Sequence, residues 1–559
     1  MMRSLFLRLI QRSDLARYAL VPIVFALAAA LLFALSTLEK KPPHIDAITP
    51  TIGDPGDVMI IRGKNFGDER KTSWIEIADN RITGSSIRNW NDEVIIMEIP
   101  HTVQDGLVYI RTKEGKSNPH IFANRQNIPV VAQGDKETGI PSIEAFDRDV
   151  NEIGGTLVIK GKNFGISQGK AQVLFAWQAE PEIPIANAAR SDKFSVACSD
   201  HDFDYEFWSD KELRVRIPDG AVSGNVFVET EKGLSNPKPL RLVNQSGTKK
   251  YSNAKTYILS VQVDITGVEA VPENSLYIRI PLPESTLTQR DVKITASEPN
   301  PYIDNYQGTI LHQLEGLKTG RNERISHSLV VTTRDLTTTV NPQQVKPYKD
   351  TGTPLYARFT GSDALVPSDN PAITAQAEAI VKKEKNPWRK ARLIYDWIID
   401  TIEPKQIADP DRPLTTALAQ GSGDAYDMAL LFTAFARASG IPATPIAGIL
   451  VDQQRQTHLH WWAEFWIEGT GWIPVDPALG MNFPFELRSA NNRDWYFGNM
   501  DSSHIAFSRG WNDQKPMIPN SRVVYRPRTY SFQAVWEEST GQIKGYTTFW
   551  SAPKITGVY

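Results

Sequence analysis

The chain has 559 residues, 41% hydrophobic and 22% charged, with 61 Lys and Arg against 64 Asp and Glu and a net charge of -3. That length exceeds what one hydrophobic core fills, so several domains are expected. The near-neutral balance offers no basic stripe and speaks against a nucleic-acid partner, while a single cysteine, Cys198, rules out an intramolecular disulfide and a thiolate zinc site.

Residues 1–17 carry Arg3, Arg8, Arg12 and Arg17 against Asp14, and no charge interrupts the following stretch from Tyr18 to Leu38. At the helical rise that stretch crosses a hydrocarbon core of about 30 Å. The arginines keep the N-terminus cytoplasmic, so 18–38 reads as a transmembrane signal anchor with residues 42 onward on the periplasmic or extracellular side. Small residues at Ala34 and Ser36 leave a cleavable signal peptide as the alternative. Exported with one cysteine, the chain must be held together by its cores.

A repeat follows. Ile60-Ile61-Arg62-Gly63-Lys64-Asn65-Phe66-Gly67 recurs as Val158-Ile159-Lys160-Gly161-Lys162-Asn163-Phe164-Gly165, Trp90-Asn91-Asp92 as Trp208-Ser209-Asp210, and Ser117-Asn118-Pro119 as Ser235-Asn236-Pro237. Short alternating strands bounded by Gly, Pro and Asn predict two antiparallel sandwiches, at 43–124 and 140–243, with a long surface loop inserted near 176–205 of the second. The Gly-Lys-Asn-Phe-Gly run reads as a turn, with Gly and Asn at positive φ and Phe plugging the sandwich end. On these motifs, with Pro43 to Ile45 and Pro141 to Ile143 opening the copies, both segments resemble the IPT/TIG family of immunoglobulin-like domains. The resemblance implies independent sandwiches that act as spacers or as binding surfaces, and with no exposed binding motif they read as spacers.

Residues 250–345 alternate as strands and predict a β-rich domain. Helices begin near Ile373; Asn386-Pro387 forms an N-cap and N1 pair for a helix whose apolar face includes Leu393, Ile394, Trp397 and Ile398. These belong to a core at 346–515, and a β-rich tail at 516–559 carries one or two late strands that complete the preceding sheet.

Within the core, Met428, Leu431, Phe432 and Phe435 fall at helical spacing behind an entry loop, Gly421-Ser422-Gly423-Asp424, and Gly440 with Pro442 closes the helix. His460-Trp461-Trp462-Ala463-Glu464 and Gly471-Trp472 with Asp476-Pro477 follow. This helix, Gly440-Ile441-Pro442-Ala443, the His-x-Trp-x-Glu pattern and the Gly-Trp-x-x-x-Asp-Pro pattern together resemble the transglutaminase-like superfamily, the papain-type Cys-His-Asp fold. The resemblance implies that the position of Ala425 holds the nucleophilic cysteine, that of His460 the general base and that of Asp476 the carboxylate orienting it. Two residues depart from the family pattern: Ala425 itself, and Thr444 where an Arg commonly follows.

A residue at 425 would sit at a helix N-terminus, where unpaired N–H groups lower a thiol's pKa; alanine uses none of this. His460 and Asp476 are therefore read as remnants of a triad, with Asp424, Tyr426, Trp461 and Trp472 as the cleft lining. His458 and His460, two apart on a strand, match no metal motif, and neither a metal nor a cofactor is implied. The expected function is an inactive transglutaminase-like domain on a bacterial membrane-anchored protein that binds an exported protein, a peptide or a cell-wall polymer; the alternative is a hydrolase or acyltransferase with a non-cysteine nucleophile.

Overall fold

The computed structural model describes residues 41–559 apart from 68–72, 79, 83–85, 101–102, 104–105, 125–138, 178–194, 244–245, 488–490 and 519. The expected anchor at 18–38 lies outside the described residues, as does most of the loop inserted in the second repeat. Among the described residues no helix is long and apolar enough to cross a membrane. Two compact units divide the chain, residues 1–132 and 133–559.

The first unit is a β-sandwich. One sheet runs His44–Thr49, Val58–Lys64, Val94–Glu98, Ile87–Trp90; the other centres on His120–Asn124, Gly106–Thr112 and Trp74–Ile77. The second repeat reproduces that order with Ser142–Phe146, Thr156–Lys162, Glu212–Arg216 and Tyr205–Trp208 facing Lys238–Leu242, Gly224–Thr230 and Gln172–Ala176. The shared motifs explain the shared topology. Asn65 and Asn163 adopt φ of 62° and 60°, and a Cβ on Gly63 or Gly161 would stand about 2 Å from the carbonyl oxygen of His44 or Ser142. Trp90 Nε1 and Trp208 Nε1 donate to the Phe66 and Phe164 carbonyls at 3.1 Å, closing each turn. Asn118 and Asn236 bind the backbone of Ile45 and Ile143, which ties the last strand to the first.

The second repeat is not an independent spacer. Its core is continuous with Ile446, Trp462, Trp466 and Trp472 of the following domain, because aromatic residues on the second face of that domain's sheet need a cover. No exposed linker follows it at 246–247 either. Ser246 and Gly247 are buried, and Ser246 Oγ donates to the Glu468 carbonyl at 2.8 Å.

Two long strands, β1 (Gly247–Ala270) and β2 (Glu323–Val340), pair antiparallel along almost their whole length. Ile543–Trp550 and Lys554–Val558 add to β1, while Glu537–Ser539 and Arg522–Val524 extend a second sheet through Ser275–Pro281. The segments 250–345 and 516–559 thus make one β-structure, not a domain and a tail. Its charged lock is Arg279 with Glu538, 3.1 Å apart and fully buried.

The core sheet runs β5 (Gly471–Val475), β4 (Thr457–Ile467), β3 (Ala443–Val451), β6 (His504–Arg509), antiparallel throughout. On it pack α1 (Pro387–Thr401), capped by Asn386 Oδ1 accepting from Arg389 N, and α2 (Ala425–Ala438). Along β4, side-chain alternation sends Trp461 toward Tyr426 and Phe465 toward Phe432 of α2, and Trp462 and Trp466 toward the second sandwich.

Candidate functional site

Ala425 is the first residue of α2, 4% exposed, and Asp424 is its N-cap. Asp424 Oδ1 accepts from Asp427 N at 3.1 Å and Asp427 Oδ2 from Asp424 N at 3.4 Å, a reciprocal cap that satisfies two of the orphan donors at this end. Burial pushes the Asp424 carboxyl upward, tempered by Arg528.

His460 stands on β4 and Asp476 directly after β5, as N-cap of the short helix α3 (Pro477–Gly480). His460 Nε2 lies 2.6 Å from Asp476 Oδ2, and both side chains are 0% exposed. Asp476 Oδ1 accepts from Leu479 N at 2.9 Å. The other ring nitrogen of His460, Nδ1, is buried without a hydrogen-bond partner among the described residues.

A second histidine shares the carboxylate. His504 Nε2 lies 3.2 Å from Asp476 Oδ2, and its Nδ1 lies 3.1 Å from Asp501 Oδ1. Tyr496 donates its hydroxyl to Asp501 Oδ2 at 2.8 Å. Burial alone would lower His504, but the flanking carboxylates push it up to about 9. Burial would likewise raise both carboxyls; instead His460 and His504 hold Asp476 well below the usual carboxylate range, and His504 with Tyr496 brings Asp501 to about 2.

The expected cleft is closed at α2. Residues 526–532 cross its N-terminus as a strap. Arg528 Nη1 donates to both oxygens of Asp424 at 2.8 and 2.9 Å, and Nη2 to Asp427 Oδ1 at 2.7 Å. The guanidinium lies 4.2 Å from the Tyr426 ring centroid, Thr529 O accepts from Trp461 Nε1 at 3.0 Å, and Phe532 packs on Tyr426. Asp424, Tyr426 and Trp461, expected as cleft lining, are therefore buried under the chain's own segment, which offers one guanidinium, that of Arg528, to the two carboxylates and an aromatic cover to the rings.

Trp472 lies elsewhere, at the junction of the second sandwich, the long-stranded sheet and the core. It borders a cavity of about 390 Å³. Arg509 sits 4.4 Å above the Trp472 ring, with Nη1 2.6 Å from Asp202 Oδ1 and Nε 2.8 Å from Glu464 Oε2. Glu464, the acid of the His-x-Trp-x-Glu pattern, thus serves to clamp the second sandwich through Arg509. Lys249 bridges Asp219 at 2.6 Å and also reaches the Trp472 carbonyl.

Other residues stand apart from these sites. His458 pairs with Asp452 at 2.9 Å, half-exposed, and so forms no pair with His460. Cys198 is buried inside the second sandwich, where burial pushes its thiol well up. Sequence reasoning missed His504, Arg509 and Arg528. His504 and Arg509 lie in an aromatic stretch with no chemical motif of its own, and Arg528 carries none either.

The family model of the transglutaminase-like superfamily matches residues 374–477, and that of the IPT/TIG domain matches 43–122. The chain therefore carries a transglutaminase-like core and an IPT/TIG domain. An uncharacterized protein of Haemophilus influenzae is 29% identical over 165 residues, 23% of this chain and 44% of that protein. The cyclomaltodextrin glucanotransferase of Bacillus licheniformis is 34% identical over 64 residues, 11% of this chain and 9% of that enzyme. The chain thus spans less than half the length of either relative. Among solved structures, the periplasmic domain of TgpA from Pseudomonas aeruginosa is similar at 15% identity and a TM-score of 0.23, over 39% of this chain and 87% of that domain.

Proposed function

We propose that this transglutaminase-like chain is an exported, membrane-tethered bacterial protein that binds a protein, peptide or cell-wall polymer and performs no cysteine-dependent acyl transfer. One observation carries the reading: the first residue of α2, where the family places its nucleophile, is Ala425. Loss of the nucleophile from a catalytic triad costs about six orders of magnitude in turnover. The strap over Asp424 and Asp427 adds support, because it fills the approach to that helix end from within the chain.

Ligand-sized space lies instead at the cavity beside Trp472, whose aromatic face, buried ion pairs and volume of about 390 Å³ suit part of a peptide or glycan chain. The anchor rests on the charge-free run at 18–38 and the arginines before it. The test is co-sedimentation of the purified chain with insoluble cell-wall polymer and with immobilised peptide libraries, beside a Trp472→Ala variant. Binding that weakens in the variant supports the reading, and binding to none of them refutes it.

A second reading, a hydrolase or acyltransferase with a non-cysteine nucleophile, draws on the retained contact between His460 and Asp476 and on the unpartnered Nδ1 of His460. An oxygen nucleophile would have to approach that nitrogen. Stoichiometric labelling by a fluorophosphonate, lost in His460→Gln, would favour it.

A further inference from the structure

Two histidines on one carboxylate oxygen are more than a dyad requires. His460 Nε2 and His504 Nε2 lie 2.6 and 3.2 Å from Asp476 Oδ2, and one donor atom from each of the three buried residues falls within 4.8 Å of the others. We propose that His460, Asp476 and His504 form a binding site for a divalent transition-metal ion of the zinc type.

The donor set is two imidazoles and a carboxylate, which suits zinc and its first-row neighbours and leaves a position open. Bonds of about 2.0–2.1 Å in a tetrahedral arrangement place donor atoms roughly 3.3 Å apart. The contact between His504 and Asp476 already has that span. The one between His460 and Asp476 must widen by about 0.7 Å, which small side-chain rotations supply. An acceptor on the far ring nitrogen orients a metal-bound histidine; His504 has one, since Nδ1 faces Asp501 Oδ1 at 3.1 Å and Asp501 is held by the Tyr496 hydroxyl, whereas His460 Nδ1 has none among the described residues. Asp476 is fixed through its other oxygen by Leu479 N. Three separate elements, β4, the end of β5 and β6, thus present the ligands from a rigid sheet.

Space lies beside one of the three ligands, His504. A cavity of about 30 Å³ is bordered by His504, Asp501, Trp462 and Glu464, the space of one water. It shares Thr286, Leu336, Glu464 and Arg509 with the larger cavity of about 390 Å³. Charge favours the ion as well, since the buried carboxylates of Asp476 and Asp501 balance a divalent cation that takes the place of imidazole protons. The inference does not depend on the binding reading above: an ion here is compatible with a catalytic or a non-catalytic core.

The test uses the full chain, stripped with a chelator and titrated with Co²⁺ while the visible absorption of the four-coordinate ion is followed, then displaced with Zn²⁺. One ion per chain is expected, with proton release that calorimetry in two buffers of different ionisation enthalpy detects. His504→Gln should weaken binding more than about 100-fold and Asp501→Asn, which leaves every ligand in place, about 10- to 100-fold. His458→Gln should change nothing. Absence of Co²⁺ and Zn²⁺ binding overturns the proposal, as does binding equally tight in the His504→Gln and Asp501→Asn chains. Should His504→Gln fail to fold, Asp501→Asn decides alone.

Discussion

Replacing Arg528 by Met removes a charge from the strap and keeps most of its bulk over Tyr426. Three hydrogen bonds disappear, two to Asp424 at 2.8 and 2.9 Å and one to Asp427 at 2.7 Å, from a site where Arg528 and both acids are nearly fully buried. Leaving a buried ion pair without one partner costs about 3–5 kcal/mol. Asp427 retains Arg412 at 3.2 Å and Asp424 keeps the backbone N–H of Asp427, so the low end, about 3 kcal/mol, is expected. For a domain of this size that is a fall of about 6–12 °C in the melting temperature of the core.

The same substitution makes a pH prediction. Burial already raises the Asp424 carboxyl, and losing Arg528 raises it further. A carboxyl whose folded value exceeds its unfolded value weakens the fold as pH rises through that folded value, so the deficit is largest at neutral pH and shrinks under acid. Differential scanning calorimetry of both chains near pH 7 and pH 5 measures it. A fall of less than about 1 °C, or an equal fall at both pH values, refutes the reasoning that the strap is held electrostatically.

Three further outcomes are expected. Ala425→Cys creates a thiol at a helix N-terminus but under the strap, so iodoacetamide near pH 7 should react slowly with it and much faster once Arg528→Ala is added, Cys198 staying silent in both; equal rates would show that the strap does not shield the site. Arg509→Met removes the clamp between Asp202 and Glu464, and amide exchange in Ser195–Ala197 and at 199–204 should accelerate; unchanged exchange would mean that apolar packing alone holds the second sandwich. In metal-free protein, His504, raised to about 9, stabilises the fold fully below about pH 6.5, a contribution lost as pH climbs toward 9, while Asp501, lowered to about 2, contributes above about pH 4 and loses this under acid. Urea unfolding across that range should fall toward alkali in the wild type and flatten in His504→Gln.

Features written in short-range chemistry were legible in the sequence. Gly63, Asn65 and Trp90, with their counterparts Gly161, Asn163 and Trp208, act within one sandwich, and their spacing already carries the turn they build. Asn386-Pro387 and the helix behind Ala425 are likewise local, each set by its own cap. That late strands complete an earlier sheet was expected, but the partners they meet were not legible. Strands at 522–558 join partners near 257–278, and nothing local records which strands will meet. Arg528 on Asp424 and Arg509 on Asp202 are separated by 104 and 307 residues. Trp462 and Trp466 carry no local sign of what covers them, and the second sandwich packed against them makes them core.

The central claim is that the missing thiol leaves the core without acyl-transfer chemistry. It is tested most directly by steady-state assay of the wild-type chain, stripped and metal-loaded, on glutamine-peptide amidase and amine-transfer substrates, with intact-mass analysis for a covalent adduct. The account predicts no turnover above the uncatalysed rate and no adduct in either state. Turnover by the wild type that is lost on His460→Gln, or an adduct on any residue of 346–515, would contradict it.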